Sequence, residues 1–303
     1  MKRLRFITLA LLLGVSTNSI HAESGEKEVI YIKSERFATP LIQKWVSEYK
    51  KVNQHADIRI ADKNTAKDDI RMELSISSDK KAGRDQSVAS FGRYALLPVA
   101  NKDSEILKKN RLNDKALKTI FFEENLLDKK GNEDKGLQAT VYSGTSEASL
   151  SAKFATYLGY SENDWKGKRI AGDDVFLINA IQKDQQGVTV NSLNYLYNLP
   201  EGQIKDNIAI LPIATKKEHR EIFEAAVLND LITLLEGEEV DLVLVDDLNF
   251  KYDKNNNAVR SFAKWVLSEG VAYNHSLGFL NPEEQQLASE IKQLEKLELT
   301  SQK

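Results

Sequence analysis

Two rhythms of apolar residues alternate along the chain. Short unbroken runs such as Val29-Ile30-Tyr31-Ile32 predict strands, whereas apolar residues recurring every three or four positions predict helices buried on one face. After the first run comes a turn segment from Lys33 to Ala38, and then Leu41, Ile42, Trp45, Val46, Tyr49 and Val52 at helical spacing. Thr39 is placed to cap that helix and Pro40 to occupy its first turn. Asp57–Ile60, Arg71–Ile76 and Ser87–Val99 read as the next three strands. Polar helices around Ile106 and over Lys115–Phe122 precede a loop, Asp128–Gly136, rich in charge and glycine.

The same alternation continues through the second half. Leu137–Val141 leads into Ser143-Gly144-Thr145-Ser146-Glu147 and a helix carrying Leu150, Phe154, Tyr157 and Leu158. Val188–Val190 precedes a helix over Ser192–Tyr197, and a strand at Ile208–Ile213 precedes a helix over Glu218–Leu235. Val240–Val245 is the most apolar predicted strand, Asp253–Asn257 a turn, and Val259–Leu267 and Glu283–Leu297 the closing helices. Regular strand–helix alternation predicts an α/β fold with largely parallel sheets.

The first 22 residues do not belong to that pattern. Lys2, Arg3 and Arg5, then the apolar Phe6–Val15, then Ile20-His21-Ala22 form the three-part plan of a secretory signal cleaved near Ala22. The apolar run is too short to span a bilayer. About 280 residues then remain, enough for two lobes, and with no cysteine they rely on a core rather than on cross-links. The formal net charge of −3 falls to about −6 once the three basic residues of the signal are removed. An acidic exported chain is a poor match for nucleic acid or for insertion into anionic membranes.

Catalytic chemistry is hard to assemble from these residues. Of four histidines, His21 is removed with the signal, and His55, His219 and His275 have no second ligand at metal-binding spacing. Asp246-Asp247 and the run Asp253–Asn257 lack the glycine and terminal glutamate of a calcium loop. No phosphate-cradling glycine loop or nucleophile elbow occurs. The expectation is a protein that is not an enzyme and has neither cofactor nor metal.

Two strand–loop–helix junctions carry hydroxyls: Ala38-Thr39-Pro40-Leu41 and Ser143-Gly144-Thr145-Ser146. A helix start offers free N–H groups and partial positive charge to an anion, and Gly144 lets a ligand approach the backbone closely. The same residues also serve as ordinary helix caps, and both readings stay open at this point.

These junctions, with Gly92-Arg93-Tyr94-Ala95-Leu96-Leu97-Pro98-Val99 leading to Asn101, and Ser261–Gly270 followed by Leu277-Gly278-Phe279-Leu280, resemble the type II periplasmic solute-binding proteins. The phosphate-binding proteins of ABC transporters are the nearest group within that resemblance. It implies two α/β lobes, each a mixed, mostly parallel sheet flanked by helices. One lobe is expected from 23–98 and 246–303, the other from 99–245. It further implies a periplasmic receptor that closes on phosphate or a similar small oxyanion and presents it to a membrane permease. The ligand would be held by Ala38, Thr39, Ser143, Gly144 and Thr145, with Arg36 or Arg93 as an added cation. Ala139-Thr140-Val141-Tyr142 lacks the Arg and Asp that phosphate binders usually place before Ser-Gly-Thr, and Lys63–Asp69 lacks their Gly-Ser-Gly loop. That departure favours the alternative of an extracytoplasmic sensor or interaction module whose cleft has degenerated.

Overall fold

A computed structural model describes residues 29–76, 82–109, 111–123 and 139–301. The expected export signal and the charged loop at 128–136 lie outside the described residues. The strands are β1 (Val29–Lys33), β2 (Asp57–Ile60), β3 (Ile70–Ser75), β4 (Gln86–Asn101), β5 (Thr140–Gly144), β6 (Lys168–Ile170), β7 (Gly187–Ser192), β8 (Tyr197–Asn198), β9 (Gln203–Ile204), β10 (Ile208–Ile210) and β11 (Leu244–Asp253). The helices are α1 (Thr39–Val52), α2 (Asp114–Phe121), α3 (Leu150–Tyr157), α4 (Val175–Ile181), α5 (Leu193–Leu196), α6 (Lys217–Ala225), α7 (Leu228–Gly237), α8 (Asn257–Ser268) and α9 (Glu284–Ser301).

One nine-stranded sheet runs β2-β1-β3-β11-β4-β7-β5-β6, with β10 on the far end of β4. The outer strands are parallel at both ends: β1 with β2 and β3, and β5 with β6 and β7. Within this sheet every antiparallel pairing involves β4 or β11, the two longest strands, while β8 and β9 pair antiparallel in a separate two-stranded sheet. The 16-residue β4 pairs with β11 over nearly its whole first part and with β7 over its last. It therefore belongs to both halves, and β4 and β11 form the crossing between two lobes of a curled, mixed α/β sheet.

The aromatic core divides in the same way. Trp45 on α1 meets Phe91 edge-on with centroids 4.7 Å apart and also touches Phe250, while Tyr49 packs on Phe262 and Trp265. Its indole N–H donates to the Gly270 carbonyl at 2.7 Å, so a fully enclosed polar group is satisfied. In the other half Phe121, Phe122, Phe154, Tyr160 and Trp165 form a separate aromatic group. Between them Phe37 meets Tyr94 edge-on and Phe279 at a tilt, beside the crossing strands.

Several element boundaries differ from the sequence reading. The run Val240–Val245 is mostly not strand: Leu242 takes a left-handed conformation with φ 69°, and β11 starts only at Leu244. Val240, Leu242 and Val243 are still buried, so the run is apolar because it packs rather than because it pairs. The helix expected over Glu218–Leu235 breaks at Ala226, also left-handed (φ 48°), into α6 and α7. The short helix α4, which buries Leu177, Ile178 and Ile181, was not predicted.

Candidate functional site

Two hollows of about 560 and 490 Å³ each draw their walls from one half of the fold. The first is formed around β3 by residues such as Lys33, Arg71 and Gln86, the second around Tyr197–Asp206. A smaller cavity, about 260 Å³, is walled from both halves: Glu35, Arg36 and Phe37 on one side, and Ser146, Ala148, Ser149, Gly172, Asp173, Asp174 and Tyr195 on the other. A cleft that two lobes share at crossing strands is where closure can trap a solute. This cavity is the candidate site.

Its first wall is the turn before α1. Arg36–Ala38 forms a 3₁₀ turn in which the Ala38 N–H donates to the Glu35 carbonyl and the Thr39 N–H to the Arg36 carbonyl. This corrects the expected cap. Ala38, fully buried, stands at the cap position, Thr39 is already inside α1, and its hydroxyl donates back to the Glu35 carbonyl at 3.3 Å. The amides of Ala38 and Thr39 are thus spent inside the turn. Asn194 holds this wall against the other half by donating from Nδ2 to the Phe37 carbonyl at 2.8 Å.

The second wall also differs from the expected helix start. Ser143 and Gly144 end β5, residues 145–149 form a loop, and α3 begins at Leu150 with Ser149 as its cap, accepting from the Ala152 N–H at 3.2 Å. The Gly144 N–H donates to Ser151 Oγ at 2.9 Å. Ser143 is completely enclosed and its hydroxyl meets no partner, whereas Thr145 is exposed. Glycine at 144 is required by a close approach: a Cβ there would stand 2.6 Å from Ser149 Cβ and 3.3 Å from Asp174 Oδ1.

Asp174 closes this corner. Its Oδ2 accepts from the Leu150 N–H at 3.1 Å, its backbone carbonyl accepts from Asn191 Nδ2 at 2.8 Å, and its Oδ1 is enclosed without a partner. Burial pushes its carboxyl up to about 6, with the negative charges of Asp173 and Glu35 adding to the rise and the Leu150 amide opposing it. Glu35 is raised as well, mainly by burial. Asp173 Oδ1 accepts from the Val175 N–H at 3.1 Å, and burial together with the Asp173 charge holds the Tyr195 phenol far above its ordinary value. Sequence reasoning missed Glu35, Asp173, Asp174 and Tyr195.

Arg93 lies on β4 outside the walls of this cavity. Its Nε donates to the Asn281 carbonyl at 2.9 Å, its guanidinium stands 4.0 Å from Glu283, and its backbone pairs with Leu280. The side chain is only 13% exposed, so it fastens the C-terminal segment to the crossing strand. Of the residues expected to hold ligand, only Arg36 is among those lining the cavity: Ala38 and Thr39 follow Phe37 in the chain, and Ser143, Gly144 and Thr145 precede Ser146. His219 is buried, with Nδ1 3.0 Å from the Thr215 hydroxyl and Nε2 3.1 Å from Glu238. Glu238 also pairs with Lys216, and none of the four lines the candidate cavity. No described helix is long and apolar enough to cross a membrane.

Neither a protein-family model nor a curated protein sequence matches this chain. Solved structures do. An ABC-type phosphate transport receptor from Vibrio cholerae aligns over 84% of this chain and 100% of its own, with TM-score 0.59 and 10% identity. A putative phosphate ABC transporter substrate-binding protein from Clostridium perfringens, solved with bound phosphate, aligns over 84% and 99%, with TM-score 0.57 and 11% identity. The regulatory domain of a LysR family regulator from N. meningitidis aligns over 86% and 100%, with TM-score 0.54 and 10% identity. At such identities the likeness speaks for the fold. The chain has the two-lobed α/β fold of the type II periplasmic binding proteins, shared with phosphate receptors and with LysR regulatory domains.

Proposed function

We propose that the protein is an extracytoplasmic solute-binding receptor, periplasmic in location, that holds a small solute in the cleft between Glu35–Phe37 and Ser146–Asp174 and serves a membrane permease of the ABC type. The observation that carries this reading is the cavity of about 260 Å³ walled from both lobes beside the crossing strands. The fold of the phosphate transport receptors and the signal-like N-terminus support it. We assign one lobe to 23–98 with 246–303 and the other to 99–245.

Phosphate or a similar oxyanion is the cargo that the fold brings to mind, and charge weighs against it. Three carboxylates, Glu35, Asp173 and Asp174, face the cavity against one cation, Arg36. At an effective dielectric constant of about 20, two unit charges about 5 Å apart repel by about 3 kcal/mol. Each carboxylate left without a cation would then cost about 3 kcal/mol, a large share of the ~8 kcal/mol that micromolar binding supplies. The cleft therefore favours a neutral or cation-bearing polar solute over inorganic phosphate.

The second reading, a sensor or interaction module whose anion site has degenerated, is favoured by one observation. The amides of Ala38, Thr39, Gly144 and Leu150 all have internal acceptors. A thermal-shift panel of phosphate, sulfate, amino acids, amines and sugars separates the two. Stabilisation by one class supports the receptor, since a ligand at 100 times its Kd adds about 2.7 kcal/mol. A flat response to every class rejects it in favour of the module.

A further inference from the structure

The amide at the start of α3 already holds an anion, and that anion belongs to the protein. α3 is an eight-residue helix whose first amide, Leu150 N–H, is bound by Asp174 Oδ2 at 3.1 Å. The neighbouring donors are spent as well: Ser149 Oγ takes the Ala152 N–H, and Ser151 Oγ takes the Gly144 N–H. Asp174 is fixed from its backbone side by Asn191 and fitted against Gly144, where any Cβ would come within 3.3 Å of its free oxygen. Its second carboxylate oxygen and the hydroxyl of Ser143, one residue before Gly144, are enclosed polar atoms with no partner. An anion delivered to this corner would find a carboxylate where it needs donors.

We propose that Asp174 is the residue that decides ligand class in the cleft: its carboxylate occupies the α3 N-terminus in place of a ligand oxyanion and excludes phosphate-like solutes. Removing it exposes the Leu150 amide and the positive end of α3 to an incoming anion. The inference rests on the reading of this cleft as the ligand site.

The test is titration calorimetry of the full-length wild type, Asp174→Ala and Asp174→Asn with inorganic phosphate and with sulfate, with circular dichroism melts to establish that each is folded. Wild type should bind phosphate weakly or undetectably, and Asp174→Ala should bind it at least tenfold more tightly. Asp174→Asn, which keeps an acceptor for Leu150 but loses the charge, should show a smaller gain in the same direction, and it carries the test if the alanine variant does not fold. Folded variants with no gain over wild type overturn the proposal, as does a wild type that already binds phosphate as tightly as the variants. A wild type that binds an amine, amino acid or sugar while the variants gain no phosphate affinity removes this proposal and leaves the receptor reading standing. A wild type that binds nothing while the variants gain phosphate supports the proposal and counts against the receptor.

Discussion

Replacing Asp174 by asparagine should stabilise the protein at neutral pH and leave it unchanged in acid. The carboxyl is held at about 6 in the folded chain against an ordinary 3.8, because burial disfavours its charged form more than the Leu150 amide rewards it. Between those two values the folded state binds more protons than the unfolded one, so stability falls as pH rises through this window. A rise from 3.8 to about 6, at about 1.36 kcal/mol per pH unit, amounts to about 3 kcal/mol of stability present below pH 4 and lost by pH 7. Asparagine mimics the protonated acid in shape and keeps an oxygen for Leu150, so it should escape this loss.

Urea unfolding of both proteins from pH 4 to pH 8 measures the effect. Other carboxylates titrate over part of the same range, with Glu35 and Asp246 raised by burial and Glu238 lowered first by Lys216 and then by His219. The informative quantity is therefore the difference between variant and wild type at each pH. It should be near zero at pH 4 and reach about 3 kcal/mol in favour of Asp174→Asn at pH 7.5. A difference that does not change with pH, or one that favours wild type increasingly as pH rises, would refute the reasoning.

Trp45→Ala should cost about 3–5 kcal/mol in chemical unfolding, since it empties a fully buried site and strands the Gly270 carbonyl; a loss below 1 kcal/mol would show that the site is loosely packed. Gly144→Ala should lower stability by about 1–3 kcal/mol, because its Cβ meets Ser149 Cβ at 2.6 Å, and an unchanged melting temperature would contradict that close approach. Arg93→Lys loses the Nε hydrogen bond to Asn281 and should cost about 1–3 kcal/mol of stability while changing solute affinity less than about twofold. A tenfold loss of affinity at unchanged stability would instead make Arg93 a ligand-binding residue.

The fold was legible because strands and helices carry different periods. Of the six apolar residues read from spacing on α1, Leu41, Ile42, Trp45 and Tyr49 are buried, whereas Val52, at the end of the helix, is exposed. Failures came where apolar content and hydrogen-bonded structure part company. Val240, Leu242 and Val243 pack without pairing, and β11, which does pair, carries the half-buried Asp246, Asp247 and Lys251 because only part of a crossing strand faces core. The site was half legible. The two junctions flanking the cleft were found, but as caps they were misplaced, since the 3₁₀ turn at Arg36–Ala38 and the loop 145–149 shift each helix start. Glu35, Asp173, Asp174 and Tyr195 come together only in the fold, and no local spacing joins positions so far apart. The one signal available was Gly172-Asp173-Asp174, a positive-φ glycine (φ 114°) followed by two acids just ahead of the apolar residues of α4.

The most direct test of the cleft as the ligand site is native mass spectrometry of the full-length protein purified without unfolding, compared with Tyr195→Ala and Arg36→Ala. Wild type should carry a small molecule that is released on denaturation, and the two folded variants should lack it. A variant that retains the same bound mass as wild type would place the ligand elsewhere and contradict the assignment.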